Sequence, residues 1–215
     1  MGTALWLIPK KGSPLYEALR SIISGIQPLF DDGVVFEPHI TLTSNVHAPT
    51  SQHVEYTLDQ AAAAAKAAPF IDVKFTKLCY GSRYLQKVYF SVAPSPYLLS
   101  LARICREEFV VLPQLQHEQK NYHGLSDDDK QAIMNHAGQQ AARWVKEEYQ
   151  PHVSLVYSNT YPVDEASQRT IESRLADVFG PDFEQRGLGW TGGRLALVQC
   201  EGPVEEWPIL GYRDL

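Results

Sequence analysis

Pro38-His39-Ile40-Thr41-Leu42 and Pro151-His152-Val153-Ser154-Leu155 are two copies of one pattern, Pro-His-(Ile/Val)-(Thr/Ser)-Leu, one in each half of a 215-residue chain. From the residue frequencies of this chain, a second copy by accident is on the order of one in a thousand. Each copy reads as a short strand, with proline at the start, where a missing N–H is tolerated. Successive side chains of a strand point to opposite faces, so His39 and Thr41 share one face and Ile40 and Leu42 the other. His152 and Ser154 are related in the same way. The apolar face anchors each strand, and the polar face is offered outward. Side chains two apart on one face are roughly 6.6 Å from each other, a spacing that lets an imidazole and a hydroxyl reach different atoms of one phosphate-sized anion. If the two strands face each other across a cleft, two imidazoles and two hydroxyls converge.

Working outward from the first copy, Met1 to Pro9 reads as a first strand and Ser13 to Phe30 as a helix. Ser13 caps that helix, Pro14 occupies its first position, and Leu15, Leu19, Ile22 and Ile26 form one apolar face. Thr50 to Ala68 is a second helix, rich in alanine and stopped by Pro69. Ile71 to Tyr80 and Tyr84 to Val92 flank Gly81-Ser82-Arg83 and read as an antiparallel hairpin. Ser95-Pro96 starts a third helix with Leu98, Leu101, Cys105 and Phe109 inward, which makes Cys105 a core thiol. The pattern lapses from Val110 to Gly124, and Ser126-Asp127-Asp128-Asp129 then opens a polar helix reaching about Tyr149. Past the second copy, Asp164 to Phe179 is a helix with Ile171, Leu175 and Val178 inward. Phe183 to Trp190, Arg194 to Cys200 and Trp207 to Tyr212 follow as three strands. The glycines from Gly187 to Gly193 read as a hairpin turn, not a phosphate cradle, since no Gly-Lys-(Ser/Thr) follows them. Strands joined by short turns as often as by helices predict an α+β fold with mainly antiparallel sheets.

Composition excludes several classes. Apolar residues are 44 % and charged residues 20 %, as in soluble globular domains. Nineteen Lys and Arg against 25 Asp and Glu give a net charge of −6, so a grip on long nucleic acid is not expected. No stretch has the roughly 18 uncharged apolar residues of a membrane span, and the N-terminus lacks a secretory pattern; the expected location is cytoplasmic. Cys79, Cys105 and Cys200 lack Cys-x-x-Cys spacing, which argues against a disulfide framework and a zinc knuckle. His47, His53, His117, His123 and His136 lack metal-ligand spacing, and no Gly-x-Ser-x-Gly elbow is present. No metal and no cofactor is expected.

The paired motifs fit one kind of chemistry. Hydrolysis of a phosphodiester needs a base to take a proton from the attacking water and an acid to protonate the departing oxygen on the opposite side. Imidazole can serve either role near neutral pH, and Thr41 and Ser154 can donate hydrogen bonds to the non-bridging oxygens. His39 and His152 are therefore the candidate catalytic pair, with either as the base.

These motifs resemble the 2H phosphoesterase superfamily, whose members carry one His-x-(Thr/Ser)-x motif in each of two pseudo-symmetric lobes. Leu5-Trp6-Leu7-Ile8-Pro9, Phe36-Glu37-Pro38-His39, Arg194-Leu195-Ala196-Leu197, Glu206-Trp207 and Tyr157 are similar to the cyclic phosphodiesterases of plants and fungi within it. The resemblance covers nearly the whole chain. It implies a single bilobal domain over residues 1–215, each lobe a mainly antiparallel sheet with outer helices around a central cleft. The polar segment at about 110–150 is an insertion relative to compact plant members. It implies hydrolysis of ADP-ribose 1'',2''-cyclic phosphate to the 1''-phosphate and of nucleoside 2',3'-cyclic phosphates to 2'-phosphates, with no metal and a small cyclic nucleotide as partner to a monomer. By the same resemblance His39 and His152 are catalytic, Thr41 and Ser154 bind phosphate, and Tyr157 contacts substrate. Trp6 matches an aromatic position near the cleft, where a ring could stack on a base or be buried. Strict alternation would turn Tyr157 away from His152 and Ser154, so its role requires the strand to twist or end near Val156. Two other readings keep the same residues: an enzyme acting on cyclic-ended or oligomeric RNA, and a nucleotide-binding module without catalysis.

Overall fold

The computed structural model describes residues 2–119 and 121–215. Its strands are β1 (Thr3–Ile8), β2 (Ile40–Ser44), β3 (Asp72–Tyr80), β4 (Val88–Val92), β5 (His152–Val156), β6 (Gly189–Thr191), β7 (Arg194–Gln199) and β8 (Ile209–Asp214). They form two four-stranded sheets, in the orders β2-β1-β7-β8 and β5-β4-β3-β6, with every recorded pairing antiparallel. The first sheet joins the two ends of the chain and the second uses its middle. Each motif strand, β2 or β5, is the edge of its sheet, and the two edges lie beside each other. The expected α+β, two-lobed architecture is therefore present.

The helices are α1 (Pro14–Ile26), α2 (Ser51–Ala67), α3 (Pro96–Arg106), α4 (Leu112–Glu118), α5 (Asp127–Glu147), α6 (Glu165–Phe179) and α7 (Phe183–Arg186). Ser13, Thr50, Ser95, Ser126 and Asp164 cap five of them by accepting first-turn N–H groups. α1 packs on α6 and β5, α2 on β7 and β8, and α3 on β2. Ile40, Leu42, Val153 and Leu155, the apolar faces of both motifs, are fully buried between these layers. The motif strands are thus held from behind by about four large side chains, each worth roughly 1.5–3 kcal/mol of burial.

Four local expectations are corrected. Helix continues past Val110 through a widened turn over Glu107–Val111 into α4. Pro113 has no N–H to give the Phe109 carbonyl, which accepts the His47 N–H instead at 2.9 Å. Val178 is exposed, because the inward stripe of α6 runs Ile171, Leu175 and then Phe179. Phe183 to Trp190 is not one strand: α7 comes first, and its Glu184 carboxylate accepts the Leu78 N–H of β3 at 2.8 Å, leaving only three residues for β6. The Gly192-Gly193 turn is a crossover and no hairpin, since β6 pairs with β3 and β7 with β1. Gly193 needs its lack of a side chain there, having φ +113 and room for no Cβ beside the Ile8 carbonyl.

α5 docks on α3 and α4 through Ala137 and Ala141, both fully buried, with Arg106 stacked over Trp144 at 4.9 Å. Asp32, in the loop before β2, ties that loop to the segment after β5. Its carboxylate accepts the Ser158 hydroxyl, the Asn159 N–H at 2.7 Å and the Asn159 side-chain amide at 2.9 Å. These bonds hold the carboxyl below its usual range, so their contribution is present above that range and is lost as pH falls through the folded-state value. Asp32→Ala should lower the urea midpoint by the equivalent of about 1 kcal/mol at neutral pH, with the difference closing at acid pH. Equal midpoints at neutral pH would remove the tie from the account.

Candidate active site

Both motifs build their histidines by one local device. A residue before proline is driven to extended backbone, and here that turns the carbonyl of Glu37 or Gln150 toward the imidazole two residues later. Nδ1 of His39 lies 2.6 Å from the Glu37 carbonyl, and Nδ1 of His152 lies 2.8 Å from the Gln150 carbonyl. A carbonyl only accepts, so Nδ1 carries the hydrogen in both rings and Nε2 is left with its lone pair. The Glu37 side chain is itself fixed, by the Tyr16 hydroxyl at 2.6 Å and by Arg20 at 3.2 Å.

The strands then bulge at the same place. β2 pairs Thr41 with Trp6 and Thr43 with Leu5, which leaves Leu42 over. β5 pairs Ser154 with Tyr89 and Val156 with Val88, which leaves Leu155 over. An extra residue shifts the alternation beyond it, so the residue five after each histidine, Ser44 or Tyr157, comes round to the cleft. This resolves the orientation of Tyr157 that strict alternation opposed. His39, Thr41, Ser44, His152, Ser154 and Tyr157 line one cavity of about 430 Å³, together with Arg83, Tyr84, Leu85 and Gln86 of the β3–β4 connection. None of the described residues of α4 or α5 lines it.

Trp6 stands elsewhere. It does not line the cavity; its indole lies flat against His39, with centroids 3.6 Å apart and planes 8° from parallel, and is itself buried. It backs the imidazole where a base-stacking surface was one of the two readings. On the other side, the Tyr157 ring stacks on Phe36 at 3.8 Å, and its hydroxyl reaches His39 Nε2 at 3.4 Å. Burial pushes the Tyr157 phenol well up, so it stays protonated and donates to that nitrogen. The Ser154 hydroxyl donates to the Leu85 carbonyl at 2.6 Å.

Burial sets the charge state of the pair. His39, 6 % exposed, is pushed down to about 3 by desolvation, with the Glu37 carbonyl opposing and His152 adding repulsion. His152 is less buried and is lowered in the same direction, against the Gln150 carbonyl. Both rings are therefore neutral at neutral pH in the empty cleft, and an anion between them would favour proton uptake by either. Among the described residues no cluster of three or more His, Cys, Asp or Glu is arranged to hold a metal ion.

Sequence reasoning missed Ser44, Gln86, Asp32 and the carbonyls of Glu37 and Gln150. Ser44 had a signal, since extending the repeat by two residues aligns it with Tyr157. Gln86 had none, because Tyr84 to Val92 read as one strand whereas Tyr84–Gln86 is a 3-10 turn and β4 begins at Val88.

Comparison with known proteins agrees with this geometry. The cyclic phosphodiesterase-like protein family matches residues 1–215. The chain belongs to that family. A 2',3'-cyclic-nucleotide 3'-phosphodiesterase of Yarrowia lipolytica is 52 % identical over the full length of both chains. Proteins of the same description from Candida albicans and Saccharomyces cerevisiae are 34 % and 30 % identical, again over the whole of each chain. Among the described residues no helix is long and apolar enough to cross a membrane.

A neutral buried imidazole makes the fold sensitive to acid. With the folded value near 3 and an ordinary value of 6.5, the stabilisation is complete above 6.5 and is lost as pH falls toward 3, where only the unfolded chain binds the proton. Between pH 6 and 4, His39→Gln should therefore lose stability less steeply than the parent, by up to about 1.4 kcal/mol per pH unit in urea titrations. Parallel curves would show that His39 is not held neutral.

Proposed function

We propose that this protein hydrolyses cyclic phosphates with its two histidines as acid and base. The substrates would be nucleoside 2',3'-cyclic phosphates, opened to 2'-phosphates, and ADP-ribose 1'',2''-cyclic phosphate, opened to the 1''-phosphate. The observation that carries this reading is the convergence of His39 and His152, each with Nε2 unprotonated, on one cavity that also holds the Thr41 and Ser154 hydroxyls. The activity named for the family relatives supports the reaction class.

In the proposed reaction the cyclic phosphate sits between the rings. One Nε2 takes a proton from a water molecule as its oxygen attacks phosphorus in line; the other, protonated, gives its proton to the 3' oxygen as the P–O3' bond breaks. One water is consumed, and a 2'-phosphate and a free 3' hydroxyl result. Thr41 donates to a non-bridging oxygen where charge accumulates, and Ser154 joins it once its proton leaves the Leu85 carbonyl. Tyr157 and Trp6 hold the His39 ring on its edge and its face. The proton needed by the acid is drawn in by the anionic substrate, since both rings are neutral before it arrives. No step is assigned to a metal.

His39→Ala and His152→Ala should each lower turnover of 2',3'-cyclic AMP by about two to four orders of magnitude with the fold retained. Phosphorus NMR should identify the parent's product as the 2'-phosphate, and excess chelator should leave its rate unchanged. Near-normal hydrolysis by either variant, a 3'-phosphate product or loss of activity in chelator would each overturn part of the reading. A panel of cyclic mononucleotide, ADP-ribose cyclic phosphate and cyclic-ended oligonucleotide ranks the substrates; preference for the oligonucleotide would favour an RNA-end enzyme instead.

The pH dependence has a definite sign. kcat/KM reports the free enzyme, so both limbs of its bell should lie on the acid side of 6.5, the lower one near 3. kcat reports the bound state, where the phosphate charge favours imidazolium, so its alkaline limb should move to higher pH. Coincident alkaline limbs would contradict a proton drawn in by substrate.

A further inference from the structure

The cavity between the two motifs is closed on one side and open on the other. On the His39 side the ring lies flat on Trp6 at 3.6 Å, stands edge-on to Phe36 with centroids 6.3 Å apart and is reached by the Tyr157 hydroxyl at 3.4 Å. All three aromatic residues are buried. On the His152 side the walls are Ser44 and the β3–β4 connection, residues 81–87. Ser44 is the counterpart of Tyr157 in the repeat, so a small side chain stands where the other half carries a phenol. Tyr84, Leu85 and Gln86 are partly exposed, and Arg83 is the one exposed residue of the described cavity lining. The mouth is therefore on the His152 side, with Arg83 at its rim.

Arg83 is fixed at its base and free at its tip. Its carbonyl accepts the Gln86 N–H at 3.1 Å. The carbonyls on either side are anchored too, Ser82 by the Lys87 ammonium at 3.3 Å and Tyr84 by the Ser158 N–H at 3.2 Å. The guanidinium itself makes no ion pair with the described residues. Apart from the two histidines, no other titratable acid or amine lines the cavity among the described residues except the phenols of Tyr84 and Tyr157. A single unpaired cation thus stands at the rim of a site that is otherwise neutral, on a chain of net charge −6.

A ribose cyclic phosphate with its phosphorus between the imidazoles turns its cyclic edge to both rings, and the rest of the sugar leaves through the open side. The C5 arm of that sugar then comes to the rim. ADP-ribose 1'',2''-cyclic phosphate carries a diphosphate on this carbon, and a nucleoside 2',3'-cyclic phosphate carries only a hydroxyl. The planar fork of an arginine matches phosphate oxygens. Resting on the function proposed above, we infer that Arg83 is a specificity-determining residue that binds a phosphoryl group carried on C5 of the ribose. It takes no part in proton transfer. The cyclic-ended terminus of an RNA has a diester on the same carbon, but the net negative charge favours a small molecule as the source.

The test compares adenosine 2',3'-cyclic phosphate with its 5'-phosphorylated form on the full chain, each variant being checked for folding by circular dichroism. In the parent the 5'-phosphate should raise kcat/KM by about tenfold, mainly through KM. Arg83→Gln should bring the ratio of the two substrates close to one, and Arg83→Lys, which keeps the charge without the fork, should leave a ratio of about three. Lys66→Gln removes an exposed charge at the C-terminal end of α2 and controls for net charge; it should move the ratio less than about twofold. A parent without the preference, a preference kept in Arg83→Gln or an equal fall in Lys66→Gln would overturn the inference. A larger loss in Arg83→Gln on a cyclic-ended dinucleotide than on ADP-ribose cyclic phosphate would overturn the small-molecule source. If the parent hydrolyses none of these, the proposed function falls, and calorimetry still decides the role of Arg83. Adenosine 2',5'-bisphosphate should bind the parent about tenfold more tightly than adenosine 2'-phosphate, with the difference gone in Arg83→Gln; equal binding to the parent would overturn the inference.

Discussion

Two edge strands have to lie side by side without joining into one sheet, and the site depends on that constraint. β2 and β5 each pair on one side only, and their other sides face each other. Unpaired edges normally invite pairing. Here proline stands at the start of each motif, and a bulge follows at Leu42 and at Leu155, which twists each edge out of register with the other. The space left between them is the cavity. The features that prevent a continuous sheet are the ones that aim the histidines: proline sets the carbonyl that fixes Nδ1, and the bulge brings Ser44 and Tyr157 round to the cleft.

Holding two imidazoles in this gap is costly to the fold and useful to the chemistry for the same reason. Burial disfavours charge on both rings, and His152 further lowers the affinity of His39 for a proton. The rings stay in place because neutral groups surround them: backbone carbonyls at Nδ1, the Trp6 face and Tyr157 hydroxyl at His39, and the Gln86 amide against the His152 ring. A single anion between them changes the balance, and the low-polarity walls strengthen its effect. On the proposed reaction, a pair of rings that is neutral when empty and takes up a proton with the substrate needs no permanently charged acid.

Much of the fold was legible because its signals are local. Ser13-Pro14, Ser95-Pro96 and the Ser126 carboxylate run marked helix starts that the structure keeps, and the apolar face of each motif marked the core. The failures came where distant contacts decide. Phe183 to Trp190 had strand-like composition, yet Glu184 is worth more to the unpaired Leu78 N–H from a helical turn. The glycines at 192 and 193 signalled a turn correctly, but which strands that turn joins depends on sheets built from residues far apart in the chain. In the site, the four motif residues were legible from the repeat alone, because a repeated strand fixes which faces carry which groups. Gln86 and Asp32 were not, since they act through contacts to the other half of the chain and carry no pattern of their own. Trp6 was visible as an aromatic beside the motif, but only the stack on His39 distinguishes a backing ring from a substrate surface.

The most direct measurement is a crystal structure of the protein with a nucleoside and vanadate, which takes five-coordinate geometry with two oxygens opposite each other. The account requires Nε2 of His39 and Nε2 of His152 to lie within hydrogen-bond distance, about 3 Å, of those two opposite oxygens, one ring on each. Vanadate bound by one imidazole alone, or both rings on the same side of the metal centre, would contradict it.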